Sequence, residues 1–181
     1  APLNTCDAGI CEAIGEGDSG AYGGDNPYDS SGVLKYVRVQ FAGDRITDVD
    51  ELNGIALQGV GSGTVVDYVQ VHRNADDGIE FFGGTVSARH VVLTGNADDS
   101  LDWTDGWTGR LQYLYIEQTD SGDNGIEADN REGDENAQPR SRPSIANMTI
   151  NGNSGERGIL LRRGTGAFIY NSRVNGSASC L

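Results

Sequence analysis

The chain has 181 residues, 27 of them glycine, and carries 27 acidic against 13 basic side chains, for a formal net charge of −14. That length suits one domain, and the charge excludes nucleic acid and anionic membrane surfaces as partners, because both repel such a surface. No run of 18 apolar residues occurs, so no membrane insertion is predicted.

Residues 1–30 are rich in Gly, Asp and Asn with weak periodicity, and they read as an irregular lead-in or partial coil. Cys6 and Cys11 enclose four residues, a spacing that suits a small disulfide loop in an oxidising compartment, with two buried thiols as the alternative. Cys180 is left for a partner outside this segment, another chain, or none. Residues 31–181 form the main body. Its first strand runs from Val33 to Phe41, an acidic insertion follows from Gly43 to Glu51, and Asn53-Gly54-Ile55-Ala56-Leu57 opens a second strand.

Then one phrase is spoken three times: Asp76-Asp77-Gly78-Ile79-Glu80-Phe81, Asp98-Asp99-Ser100-Leu101-Asp102-Trp103 and Asp123-Asn124-Gly125-Ile126-Glu127-Ala128. Ile79, Leu101 and Ile126 follow one another at 22 and 25 residues, which is the period of a solenoid. Before each phrase stands an alternating apolar run, Tyr68 to Val71, His90 to Leu93 and Tyr113 to Ile116. A polar insertion, Asp129 to Pro143, must run over the surface. A fifth coil returns with Ile145, Met148, Ile150 and Gly158 to Leu161, and Phe168 to Val174 begins a sixth.

One strand–corner–strand unit cannot bury its own apolar side, so the units must stack and share a core. Strand alternation places Ile55, Ile79, Leu101, Ile126 and Ile159 inward as one column, and Leu57, Phe81, Trp103, Ala128 and Leu161 as a second. Val37, Val69, Val91, Leu114 and Met148 make a third, and Val39, Val71, Leu93, Ile116 and Ile150 a fourth. Gly54, Gly78, Gly125 and Gly158 precede the first column, where a corner needs either a positive φ or close backbone approach. The fold class predicted is all-β: a right-handed parallel β-helix (β-solenoid) of about six coils of 22–25 residues with two surface insertions, the hand following from the crossover rule.

Ser31 to Val39, Asn53 to Thr64 and Asp76-Asp77-Gly78-Ile79-Glu80-Phe81-Phe82-Gly83-Gly84 resemble a family of secreted or surface-anchored bacterial proteins, lipoproteins among them, whose fold is pectate-lyase-like. The resemblance covers roughly the whole chain and implies a secreted or bacterial cell-surface location. It implies no particular activity. Members look longer than this chain, so the resemblance also implies a segment of a longer protein.

Outward positions carry the candidate chemistry. Glu80, Asp102 and Glu127 recur at one place in three successive coils, and Asp129 sits two residues beyond Glu127. Carboxylates about 5 Å apart repel by roughly 3 kcal/mol per neighbouring pair at an effective dielectric of 20. Ca²⁺, which takes six to eight oxygen ligands, is the natural offset; proton sharing is the other. The corner acids Asp76, Asp77, Asp98, Asp99, Asp120 and Asp123 offer a second calcium ladder, unless they serve their own turns, as Asx residues do. A ladder of Tyr36, Tyr68, His90 and Tyr113, with Tyr115 and Phe82 nearby, offers a platform for sugar rings, unless it is plain cross-strand packing.

If the protein is an enzyme, Glu80, Asp102 and Glu127 are its catalytic carboxyls, acting on an acidic polysaccharide. The paired corner acids look like those of polygalacturonases, yet the Gly-His-Gly and Arg-Ile-Lys motifs of those enzymes are missing, and a repeated motif is the wrong signature for a unique active site. The sequence therefore favours an extracellular structural or binding solenoid that takes Ca²⁺ and glycans, without assigned catalytic residues. The alternatives are a carbohydrate-active enzyme and a filament subunit whose copies stack end to end.

Overall fold

Each repeat folds as one turn of a flat-sided column. The computed structural model describes residues 1–7, 10–47, 50–119 and 121–181; the corner acid Asp120 and the side chain of Cys6 lie outside what is described. The lead-in contributes β1 (Cys6–Asp7), β2 (Ile10–Ile14) and β3 (Ala21–Gly23), which pair as an antiparallel sheet in which Cys6 faces Cys11. Cys11 is disulfide-bonded, and Cys180 is free and exposed.

The coils then alternate a long strand with a short one. In the first, β4 (Val33–Gln40) is followed by a hairpin of β5 (Arg45–Thr47) and β6 (Asp50–Glu51) and then by β7 (Ile55–Gln58). Next come β8 (Val65–His72) with β9 (Ile79–Phe82), and β10 (Ser87–Thr94) with β11 (Leu101–Thr104). Then come β12 (Arg110–Glu117) with β13 (Ile126–Ala128) and β14 (Ser144–Asn151) with β15 (Ile159–Leu161), and the sixth coil contributes β16 (Phe168–Tyr170) and β17 (Arg173–Asn175), which pair with the two halves of β14. The long strands stack in parallel in the order β4-β8-β10-β12-β14-β16, with β17 also on β14, and the short ones in the order β7-β9-β11-β13-β15. This is a parallel β-helix.

Register follows the repeat. Ile55, Ile79, Leu101, Ile126 and Ile159 pair in succession, as do Leu57, Phe81, Trp103, Ala128 and Leu161. The middle of the column is aromatic. Phe81 lies flat on Trp107 with centroids 3.8 Å apart, Trp103 tilts against Trp107, and the indole N–H of Trp107 donates to the Val86 carbonyl at 3.0 Å. Trp107 belongs to no repeated phrase, and the sequence columns did not contain it.

The long strands are not straight. Val66 and Val69, Ala88 and Val91, and Leu111 and Leu114 are all buried although three residues apart, whereas unbroken alternation would put one of each pair outside. The residue between the halves takes a left-handed conformation in every coil: Tyr36, Tyr68, His90, Tyr113, Asn147 and Asn171 have φ between 45° and 63°. Each turns the chain so that both halves face inward. Two further corners of each early coil also hold left-handed residues, Phe41 and Gly59 in the first, Arg73 and Gly83–Gly84 in the second, Gly95 and Asp105–Gly106 in the third, and Gly43 adds one in the first insertion. Three such corners per coil give the column three sides.

Gly54, Gly78, Gly125 and Gly158 are not among the positive-φ residues. Close approach is their reason: a Cβ on Gly78 would lie 2.4 Å from the Ser100 carbonyl oxygen of the next coil, and one on Gly125 2.6 Å from the Gly158 oxygen.

Candidate functional site

The short sheet presents its outward side chains in one line. Glu80 pairs in register with Asp102, and Asp102 with Glu127, so parallel stacking at about 4.8 Å per coil puts each carboxyl directly below the last. The corner acids come to the same place. Carboxylate oxygens of Asp77, Glu80 and Asp102 lie within 4.8 Å of one another, as do those of Asp99, Asp102 and Glu127, those of Asp98, Asp99 and Asp123, and those of Glu51, Asp76 and Asp98. The two ladders expected from the sequence are therefore one array, joined through Asp99 and Asp102.

Burial is deeper than an outward position implies. Glu80 is only 7% exposed, because the lead-in crosses over it. Asn53 donates from one amide nitrogen to Glu16 and to Glu80, both at 2.7 Å. Glu16 and Glu51 belong to this array, and the repeat could not show it, since neither stands in a repeated phrase. Asp102 Oδ1 is buried with no hydrogen-bond partner among the described residues. Turn chemistry and the array coexist at the corners. Asp77 Oδ1 accepts the backbone N–H of Asp99 at 2.9 Å, and Asp99 Oδ1 accepts that of Asn124 at 2.6 Å.

Desolvation and mutual repulsion act in one direction on these groups. Burial, then the neighbouring Asp102 and Asp99, push Asp77 well above the usual carboxylate range. Burial followed by Asp77 and Glu16 does so for Glu80, and burial followed by Glu80 and Asp99 for Asp102. Asp99 is pushed up to about 8, first by burial and then by Glu127. Glu16 rises to about 7, by burial and then by Asp76, and Asp76 to about 6, mainly by burial. Burial also raises Asp98 and Glu127, although Arg162 beside Glu127 pulls the other way.

Asp129 departs from the expected ligand set. Arg162 grips its two oxygens at 3.0 Å each, Arg163 takes Oδ2 at 2.7 Å, and Arg162 also pairs with Glu127. With both oxygens committed to guanidinium, Asp129 is a salt-bridge partner rather than a free cation ligand. The arginines, the second insertion and the lead-in wall a cleft of about 400 Å³ over the short sheet, lined by Glu16, Glu80, Asp102, Arg131, Arg162 and Arg163 among others.

The aromatic ladder lies on a different side of the column. Tyr36 stacks on Tyr68 at 5.0 Å, Tyr68 on His90 at 4.2 Å and His90 on Tyr113 at 4.8 Å, with interplanar angles of 18°, 6° and 15°. The ring faces that a sugar would need are thus turned on each other, and the row offers its edges to solvent. Tyr115 stands in the adjoining row, its hydroxyl bonded to Glu117. Phe82 is not part of this surface: it is 8% exposed, on the short sheet, with Tyr22 of the lead-in packed edge-on at 6.1 Å.

In keeping with this stacked parallel column, a family model described as a pectate-lyase-like beta helix domain matches residues 1–181. The chain belongs to that family. Comparison with curated proteins and with solved structures returns no match. Among the described residues no helix is long and apolar enough to cross a membrane.

Proposed function

We propose that this β-helix domain is an extracellular glycan-binding solenoid whose carboxylate array holds Ca²⁺. One observation carries the reading: Asp102, with a buried and unpartnered Oδ1, belongs to two separate trios of carboxylate oxygens within 4.8 Å of one another. Left to themselves such groups repel by roughly 3 kcal/mol per pair at an effective dielectric of 20. A hard dication removes that cost and accepts carboxylate and amide oxygens at about 2.3–2.6 Å. Asp77, Glu80, Asp99, Asp102 and Glu127 would supply the ligands. The adjoining cleft, which Arg131, Arg162 and Arg163 also line, supports a glycan carrying carboxyl groups, which would meet guanidinium and the bound ion.

Calorimetric unfolding tests this. Millimolar Ca²⁺ is expected to raise the midpoint over that in EGTA, by RT ln(1 + [L]/Kd) in free energy, and Glu80→Gln with Asp102→Asn is expected to abolish the gain. An unchanged midpoint across the titration removes calcium.

A second reading, cleavage of an acidic polysaccharide, is favoured by the Glu16–Asn53–Glu80 bridge in the same cleft, where Glu16, raised to about 7, is suited to general acid work near neutral pH. Release of reducing ends from polygalacturonate or alginate, lost in Glu16→Gln, would establish it; no release leaves the binding reading alone.

A further inference from the structure

The long sheet carries a second charged surface, opposite in sign to the array. On its half before the bend, Arg89 pairs in register with Gln112, and Arg110 with Ser144. Arg110 stands two residues before Gln112, so the two arginines are diagonal neighbours, roughly 8 Å apart at Cα from a strand spacing of about 4.8 Å and a rise of about 3.3 Å per residue. Arg142, two residues ahead of Ser144, extends the same diagonal one coil further. The three arginines thus follow one diagonal of the backbone, Arg142 just ahead of β14 and lining a separate groove with Pro139 and Phe168.

Around Arg89 and Arg110 lies a groove of about 450 Å³ whose other polar lining is Ser87, Gln112 and Ser144, with no carboxylate. Ser87 Oγ accepts the Arg110 backbone N–H at 3.1 Å, which leaves its hydroxyl proton to point elsewhere. Among the described residues no carboxylate is within ion-pair distance of Arg89, Arg110 or Arg142. The nearest candidate in register, Asp67 beside Arg89, is held by Lys35 at 3.4 Å and by His90 Nδ1 at 2.8 Å. The Arg89 guanidinium carbon stands 5.9 Å from the Tyr113 ring centre and that of Arg142 5.4 Å from the Phe168 ring centre, so aromatic faces steady both side chains while their N–H edges stay open.

In a chain of net charge −14, unneutralised arginines in a line, in a concave site of donors, form an oxyanion receptor. We propose that this groove binds an anionic glycan through its sulfate or carboxylate groups, guanidinium forks matching planar or tetrahedral oxyanions in two-point contact. A line of three spaced charges suits a polymer with one charge every residue or two. A nucleic acid duplex, far denser in phosphate, is repelled by the acidic remainder of the molecule. The site is on a different sheet from the carboxylate array and does not depend on calcium.

Binding is measured by titration calorimetry in EGTA at low salt, with dextran sulfate, polygalacturonate, neutral dextran and a 20-base-pair DNA duplex as probes. The expected result is binding of one or both anionic polymers, the preferred one naming the oxyanion, and a loss of about tenfold or more in Arg89→Gln with Arg110→Gln. Arg89→Lys with Arg110→Lys, which keeps charge without the fork, should fall between. Equal binding by the glutamine variant, equal binding of neutral dextran, tighter binding of the duplex, or no binding at all overturns the proposal. Failure of the calcium titration would leave it standing.

Discussion

His90 lies flat against Tyr68, ring centroids 4.2 Å apart and planes 6° from parallel, and both residues sit in the left-handed region with φ of 51° and 54°. A bulky side chain there costs about 1–2 kcal/mol, and each stacked contact returns about 0.5–1.5 kcal/mol. The ladder thus stabilises the very corners that strain it. Further down the column asparagine takes over, with Asn171 donating to Asn147 at 2.6 Å.

Tyr68→Ala should accordingly lose about 1–3 kcal/mol in denaturant unfolding, since both stacking contacts of that ring vanish while the corner strain stays. Tyr68→Gly should be the more stable of the two variants, because glycine takes this φ freely. In an ordinary strand the order is reversed, so an alanine variant that outlasts the glycine one would refute the corner assignment.

Gly78→Ala should cost roughly 2 kcal/mol or more, because the new methyl meets the Ser100 carbonyl at 2.4 Å, and a packed core yields to such intrusion only by moving backbone. Gly133 in the second insertion has open space around it at φ +80°, and its alanine variant should lose only the strain of a side chain in the left-handed region, about 1–2 kcal/mol. If close coil approach did not matter, the thermal midpoint of Gly78→Ala would be no lower than that of Gly133→Ala.

The array sets the pH dependence. Its carboxyls have folded pKa values above their unfolded ones, so the native chain binds more protons than the unfolded chain, and stability falls as pH rises. With Asp76 at about 6, Glu16 at about 7 and Asp99 at about 8, the decline should run from about pH 4 to pH 8. In EGTA the melting midpoint should be higher at pH 5 than at pH 8. The gain from Ca²⁺ should show the opposite trend, since the cation competes with protons for the same oxygens. A midpoint that climbs between pH 5 and 8 without calcium would contradict the burial of these groups.

Arg162→Gln leaves Asp129, 5% exposed, with Arg163 alone and frees Glu127. Because Arg162 itself is about one-third exposed, the loss should be moderate, about 1–3 kcal/mol, below that of a fully buried pair. Urea unfolding of Arg162→Gln and of Arg162→Lys separates charge from fork geometry: lysine should recover only part of the loss.

The repeat alone determined the coil period, the inward columns from Ile55 to Ile159 and the line of Glu80, Asp102 and Glu127, because in a stacked solenoid equivalent positions in successive coils become neighbours and spacing in the chain maps directly onto spacing along the axis. What needed the tertiary structure lies wherever that mapping fails. The left-handed corner at Tyr68 was concealed because strict alternation fits either half of a bent strand, and the break shows only in the φ of Tyr68 and the burial of Val66 together with Val69. Glu16 reaches Glu80, Phe82 is covered by Tyr22, and Asp129 is claimed by Arg162 and Arg163, through the lead-in and the coil after the second insertion, which cross between coils rather than repeat with them. Contacts of that kind depend on where a non-repeating segment lies over the column, and no local spacing encodes it.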